Sequence, residues 1–121
     1  MNEQELAESV RAALLGAGTI REAKMFGGIG FMLNGNLIAG ASKRGLLVRV
    51  GKGQQREALA QPGARPMQMK GRTMGGYIYV DLPSLNDHAV RSCLRLALPH
   101  VLSLPPKANA PKREGTKRKV K

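Results

Sequence analysis

The dipeptide Asn34-Gly35 constrains this chain more than any other feature, because it sits between two stretches with strand character, Met25 to Leu33 and Asn36 to Ala41. Asn-Gly supplies the two positive φ values that a type I′ turn requires, so the two stretches are expected to fold back as a β-hairpin. Strand alternation then puts Ile29, Phe31 and Leu33 on one face. It leaves Gly28 and Gly30 on the other, which is nearly bare.

The remaining elements follow from periodicity and turn chemistry. Asn2 and Glu5 have the spacing of a capping box, and Leu6, Val10, Ala13 and Leu14 recur at helical spacing until Gly16 and Gly18 stop the helix. After a turn at Lys43-Arg44-Gly45, Leu46, Val48 and Val50 alternate with Leu47 and Arg49 as a third strand. Gly51 to Gly53 lead into a short helix around Gln54 to Ala60, ended by Pro62-Gly63. Met67 to Lys70 and Gly76 to Leu82 predict a second hairpin, with its bend in Gly71 to Gly75. Ser84 with Asp87 reads as the cap of a long helix through Val90, Leu94, Ala97, Leu98 and Val101, which Pro99 is expected to kink. The predicted order is α-β-β-β-α-β-β-α, an α+β two-layer fold.

A chain of 121 residues supports one domain, and with Trp absent and aromatics at 3% its core must be aliphatic. No apolar run reaches the roughly 18 residues of a membrane span, and Met1 to Val10 is acidic where a signal peptide would be basic and then apolar. A cytoplasmic location is expected. The formal charge of +12 is uneven. Lys107, Lys112, Arg113, Lys117, Arg118, Lys119 and Lys121 face only Glu114 from Pro105 onward, so half of the net charge lies there. With Pro105, Pro106 and Pro111 interspersed, residues 105–121 are expected to form a disordered basic tail behind a domain at 1–104.

Catalytic groupings do not emerge from the residues. His88 and His100 share the last helix but lie about 18 Å apart along it and point about 120° apart, too far for one metal or substrate. Cys93 is offset about 140° from His88 and about 10 Å from His100, and a lone cysteine on a helix reads as a core thiol. The acids Glu3, Glu5 and Glu8 suit the positive end of the first helix, and Asp81 and Asp87 fall at element boundaries. No catalytic residue, metal, cofactor or small-molecule substrate is therefore expected. Gly45 to Lys52 has five residues between its glycines where a phosphate loop has four, and Gly53 follows the lysine where Ser or Thr belongs. Gly27-Gly28-Ile29-Gly30 opens a hairpin, unlike a dinucleotide fingerprint, which opens a helix; close strand packing or a partner's backbone would explain it.

The face opposite Ile29, Val48, Ile78 and Val80 is more informative, since alternation gathers Arg49, Lys70, Arg72, Tyr77 and Tyr79 there. Cations can pair with phosphates while tyrosine rings stack on bases, without sequence readout. The same face could equally be a solvated surface, a homodimer seam or a docking site for another protein.

The segment Lys24-Met25-Phe26-Gly27-Gly28-Ile29-Gly30-Phe31-Met32-Leu33-Asn34-Gly35 resembles the TfoX N-terminal domain family. So do Leu46 to Val50, Pro66-Met67, Gly71-Arg72, Gly75-Gly76-Tyr77 to Pro83, and Leu104-Pro105-Pro106-Lys107. Met25, Phe26, Gly27 and Gly28 are the most specific of these. The resemblance implies a secretion-chaperone-like two-layer sandwich. It also implies kinship with regulators of natural competence and transcription that have no established enzymatic activity. Those regulators carry a second, helical domain, and this chain resembles the stand-alone type. The resulting expectation is a regulatory binding protein that touches nucleic acid weakly through charge, at Arg49, Lys70, Arg72, Tyr77, Tyr79 and the tail cations Lys112, Arg113, Lys117, Arg118, Lys119 and Lys121. The alternative is a protein-interaction module that binds no nucleic acid.

Overall fold

The computed structural model describes residues 1–25 and 27–107; Phe26 and the tail from Ala108 lie outside the described residues. Its elements are α1 (Glu3–Ala13), β1 (Ile20–Met25), β2 (Gly28–Leu33), β3 (Asn36–Ser42), β4 (Gly45–Arg49), α2 (Gln55–Leu59), β5 (Ala64–Met69), β6 (Arg72–Val80) and α3 (Asp87–Ser103). The strands form one antiparallel six-stranded sheet in the order β1-β2-β3-β4-β6-β5. The architecture is α+β, as expected.

Where local chemistry is strong, the expected elements form. Asn2 Oδ1 accepts from the Glu5 N–H at 2.8 Å and Glu5 Oε1 accepts from the Asn2 N–H at 2.9 Å, which closes the capping box of α1. Asn34 and Gly35 adopt φ of 53° and 85°, the two left-handed residues of the β2–β3 turn. Phe31, Leu33, Val48, Ile78 and Val80 lie in one buried core with Leu6 and Val10 of α1 and Val90, Cys93, Leu94, Ala97 and Val101 of α3. Both long helices pack on β3 and β4, so the sheet and a helical layer form a two-layer sandwich.

Three expectations need correction. The stretch from Met25 to Leu33 is not one strand: Met25 ends β1, Gly27 turns with φ of 74°, and β2 starts at Gly28. The order is therefore α-β-β-β-β-α-β-β-α. The second hairpin does not bend across Gly71 to Gly75; it turns at Lys70 and Gly71, with φ of 54° and 79°, and both strands are longer than expected. The cap of α3 is not Ser84 but Asn86, whose Oδ1 accepts from the Ala89 N–H at 2.8 Å. Helix α3 continues through Pro99 to Ser103.

Arg11 forks onto Glu22, tying α1 to the edge strand β1 and holding the Glu22 carboxyl below its ordinary range. Ser9 donates to Asp87 at 2.6 Å, joining α1 to α3. Beyond α3 the chain does not leave the domain at Leu104. Asn36 Nδ2 donates to the Pro105 carbonyl at 3.1 Å, and the Lys107 N–H donates to the Asn34 carbonyl at 2.9 Å.

Candidate functional site

The face of the sheet turned away from the helices is built by β4, β5 and β6. Leu47 pairs with Tyr79 and Arg49 with Tyr77 across β4 and β6, and Arg65 pairs with Tyr79 across β5 and β6. These partners project to the same side by strand geometry. Leu47, Met67 and Tyr79 form a small buried cluster there, flanked by Leu37, Met74 and Tyr77. All of its members come from the strands or lie in the described sheet, with no helical residue among them.

Guanidinium groups cover both tyrosines. Arg49 lies 5.8 Å from the Tyr77 ring centroid, and one of its nitrogens reaches the Leu37 carbonyl at 3.5 Å. Arg65 lies 5.4 Å from the Tyr79 ring centroid and pairs with Asp81 at 3.0 Å. An arginine placed over an aromatic face keeps donors free at its edge while its flat side is engaged.

Of the residues expected at this face, Arg49, Tyr77 and Tyr79 do come together. Tyr79, however, is only 5% exposed, so its ring belongs to the packed cluster and offers no open platform to a base. Tyr77 remains half-buried. Lys70 is not on the face: its left-handed backbone puts it in the turn at the tip of the β5–β6 hairpin, with exposed Arg72 opening β6 beside it. Lys112, Arg113, Lys117, Arg118, Lys119 and Lys121 lie outside the described residues, as does Phe26. Sequence reasoning missed Arg65 and Met67 as members of the face. Their alternation across Pro66 was the available signal, obscured because proline argues against a strand; here β5 is an edge strand, where proline is tolerated.

The glycines of the β2 segment serve close approach. A Cβ on Gly28 would strike the Ala41 carbonyl, and one on Gly30 would displace the Met25 side chain, which lies across it. Met25 thus covers part of the bare surface that Gly30 leaves.

Cys93 is fully buried in the core, and burial pushes its thiol up to about 11. It is neutral near pH 7, which leaves it a poor nucleophile. Among the described residues no three His, Cys, Asp or Glu side chains gather as metal ligands. Among them, too, no helix is long and apolar enough to cross a membrane.

These features define a small α+β domain whose antiparallel sheet is covered by helices on one side and presents arginine-capped tyrosines on the other. The chain belongs to the TfoX N-terminal domain family, whose model matches residues 11–100, from within α1 to within α3. No curated protein matches it.

Proposed function

We propose that this chain is a cytoplasmic, non-catalytic regulatory module of the competence-related kind that meets nucleic acid weakly and through charge. The observation that carries this reading is a strip of cations on the folded body. Arg49, Lys52, Arg65, Lys70 and Arg72 lie along β4, the turn after it and the β5–β6 hairpin, where Asp81 is already engaged by Arg65. Glu5, Glu8 and Asp87, with Arg91 among them, instead line a hollow between α1 and the start of α3, and Glu3 is nearby on α1. Such a strip of cations attracts a phosphate backbone.

Stacking contributes little in this reading, since Arg65 covers buried Tyr79 and Arg49 covers one face of half-buried Tyr77. The contact is then phosphate-directed and indifferent to sequence. Membership of the TfoX N-terminal domain family supports a regulatory role, and the buried Cys93 and the wide spacing of His88 and His100 support a non-catalytic one.

The test is the salt dependence of binding to duplex and single-stranded DNA, for the full chain and for a chain ending at Lys107. The six cations removed would flatten the log-log slope by up to about 4 to 5 units, at ~0.7 to ~0.9 per phosphate contact. A slope that does not change removes the tail from the interface. Absence of binding by the full chain at low salt overturns the reading and favours the same face as a protein-docking surface.

A further inference from the structure

A separate hollow of about 460 Å³ opens where β4 ends, lined by Arg49, Lys52, Tyr77 and His100. Its remaining walls are the backbone of four glycines, Gly51, Gly53, Gly75 and Gly76. Its size falls within the range of small-ligand sites.

A bulge in β6 makes the space. Pro66 pairs with Ile78, but Gln68 pairs with Thr73, so the β6 chain from Met74 to Tyr77 is longer than the strand opposite it. Gly76 carries the bend with φ of 87°, and its carbonyl accepts from both the Val50 and Gly51 N–H groups, at 2.9 and 3.0 Å. The Gly76 N–H donates to Gln55 Oε1 at 3.0 Å, which pins the bulge to α2.

The glycines are what let the side chains approach. A Cβ on Gly51 would lie 2.6 Å from the His100 ring, and one on Gly75 would lie 3.1 Å from Lys52 Cε. Any larger residue at these two positions would displace the imidazole and the lysine stem. The hollow therefore combines a guanidinium, an ammonium, an imidazole and a tyrosine ring, and among the described residues no carboxylate lines it. Arg49 spends one weak hydrogen bond on Leu37 and keeps its other donors.

We infer that this hollow is a binding site for a terminal phosphate monoester of a nucleotide. A phosphomonoester carries up to two negative charges and three terminal oxygens, which suits an arginine fork with a lysine and an imidazole donor better than a singly charged carboxylate does. The Tyr77 ring at the rim can contact the attached sugar or base. Such a phosphate has two sources, a free mononucleotide or the phosphorylated end of a nucleic acid strand. The site shares Arg49 and Tyr77 with the interface proposed above but goes beyond it: a salt slope indifferent to the tail leaves this site standing, and failure of this site leaves that slope unaltered.

The test titrates the full chain calorimetrically, at fixed ionic strength, with adenosine 5′-monophosphate, adenosine, and one oligonucleotide in 5′-phosphorylated and 5′-hydroxyl forms. At least one phosphorylated probe is expected to bind about ten-fold more tightly than its unphosphorylated counterpart. Lys52→Ala and Arg49→Gln are each expected to erase most of that difference, because each removes a charge-assisted contact. Lys52 is exposed, so its replacement leaves the fold intact. A gain confined to the oligonucleotide assigns the site to strand ends; a gain confined to the mononucleotide assigns it to a free ligand. If neither phosphorylated probe gains, or if the gain survives Lys52→Ala and Arg49→Gln together, the inference is wrong.

Discussion

Cys93 faces the core beside Val90, Leu94 and Ala97, where burial pushes its thiol from an ordinary 9.0 up to about 11. The sign of the consequence follows from proton counting. In the unfolded chain the thiol ionises near pH 9, while in the folded chain it holds its proton to about pH 11, so the folded state binds more protons in between and stability falls as pH rises. Below pH 9 the contribution is fully present. At about 1.36 kcal/mol per pH unit, the loss across this window is about 2 to 3 kcal/mol. Denaturant midpoints measured from pH 8 to 11 for the protein and for Cys93→Ala should converge as pH rises; parallel curves would show that the thiol does not titrate as its burial implies. That this cysteine belongs to the core was legible from its being a lone cysteine on a helix. Tyr79 was not legible in the same way. Alternation assigned it to the outer face correctly, but nothing in its own strand announced that Leu47, Met67 and Arg65 would close over the ring.

At the scale of elements, what could be read in advance was whatever rests on local chemistry, and what escaped is held by neighbours. The capping box of α1 and the Asn34-Gly35 turn are stabilised by their own residues and form as expected. Strand β1 has no apolar alternation to reveal it: between Ile20 and Met25 it runs Arg21-Glu22-Ala23-Lys24, all exposed. It exists because it completes the ladder of β2 from the edge, and its charges suit an edge that must not recruit further strands. The β5–β6 turn escaped for a different reason. Lys70 is a non-glycine residue with positive φ, an uncommon choice that composition does not signal. The start of α3 was expected at Ser84, and the structure caps the helix with Asn86 instead. Asn86→Ala should then cost about 1 kcal/mol, the usual worth of an N-cap, with Asn86→Asp close to neutral. Ser84→Ala should leave the cap untouched. Equal losses for Asn86→Ala and Ser84→Ala in chemical denaturation would contradict the assignment.

At the scale of the molecule, the C-terminal segment is part of the domain for three residues beyond α3 and its cap. Asn36 is 2% exposed, and its side-chain amide donates to the Pro105 carbonyl; the Lys107 N–H then caps the Asn34 carbonyl at the hairpin turn. Gly35 has a second reason to be glycine besides its positive φ, because a Cβ there would run into the Lys107 backbone. The hairpin that organises the first half of the sheet is thus also where the chain's last described residue docks. This contact was invisible in the sequence, where Pro105-Pro106 reads as the start of an unstructured stretch, since prolines say nothing of what their carbonyls accept. It also decides where the basic tail can be cut without confusing charge with stability. A chain ending at Leu104 leaves the buried Asn36 amide without its acceptor, which should cost about 1 to 3 kcal/mol. A chain ending at Lys107 keeps both hydrogen bonds and should unfold at the same denaturant midpoint as the full chain, while its affinity for DNA alone becomes less salt-dependent. If the two truncations prove equally stable, the Pro105 and Lys107 contacts do not hold the terminus in solution, and the tail's reach would then be measured from Leu104.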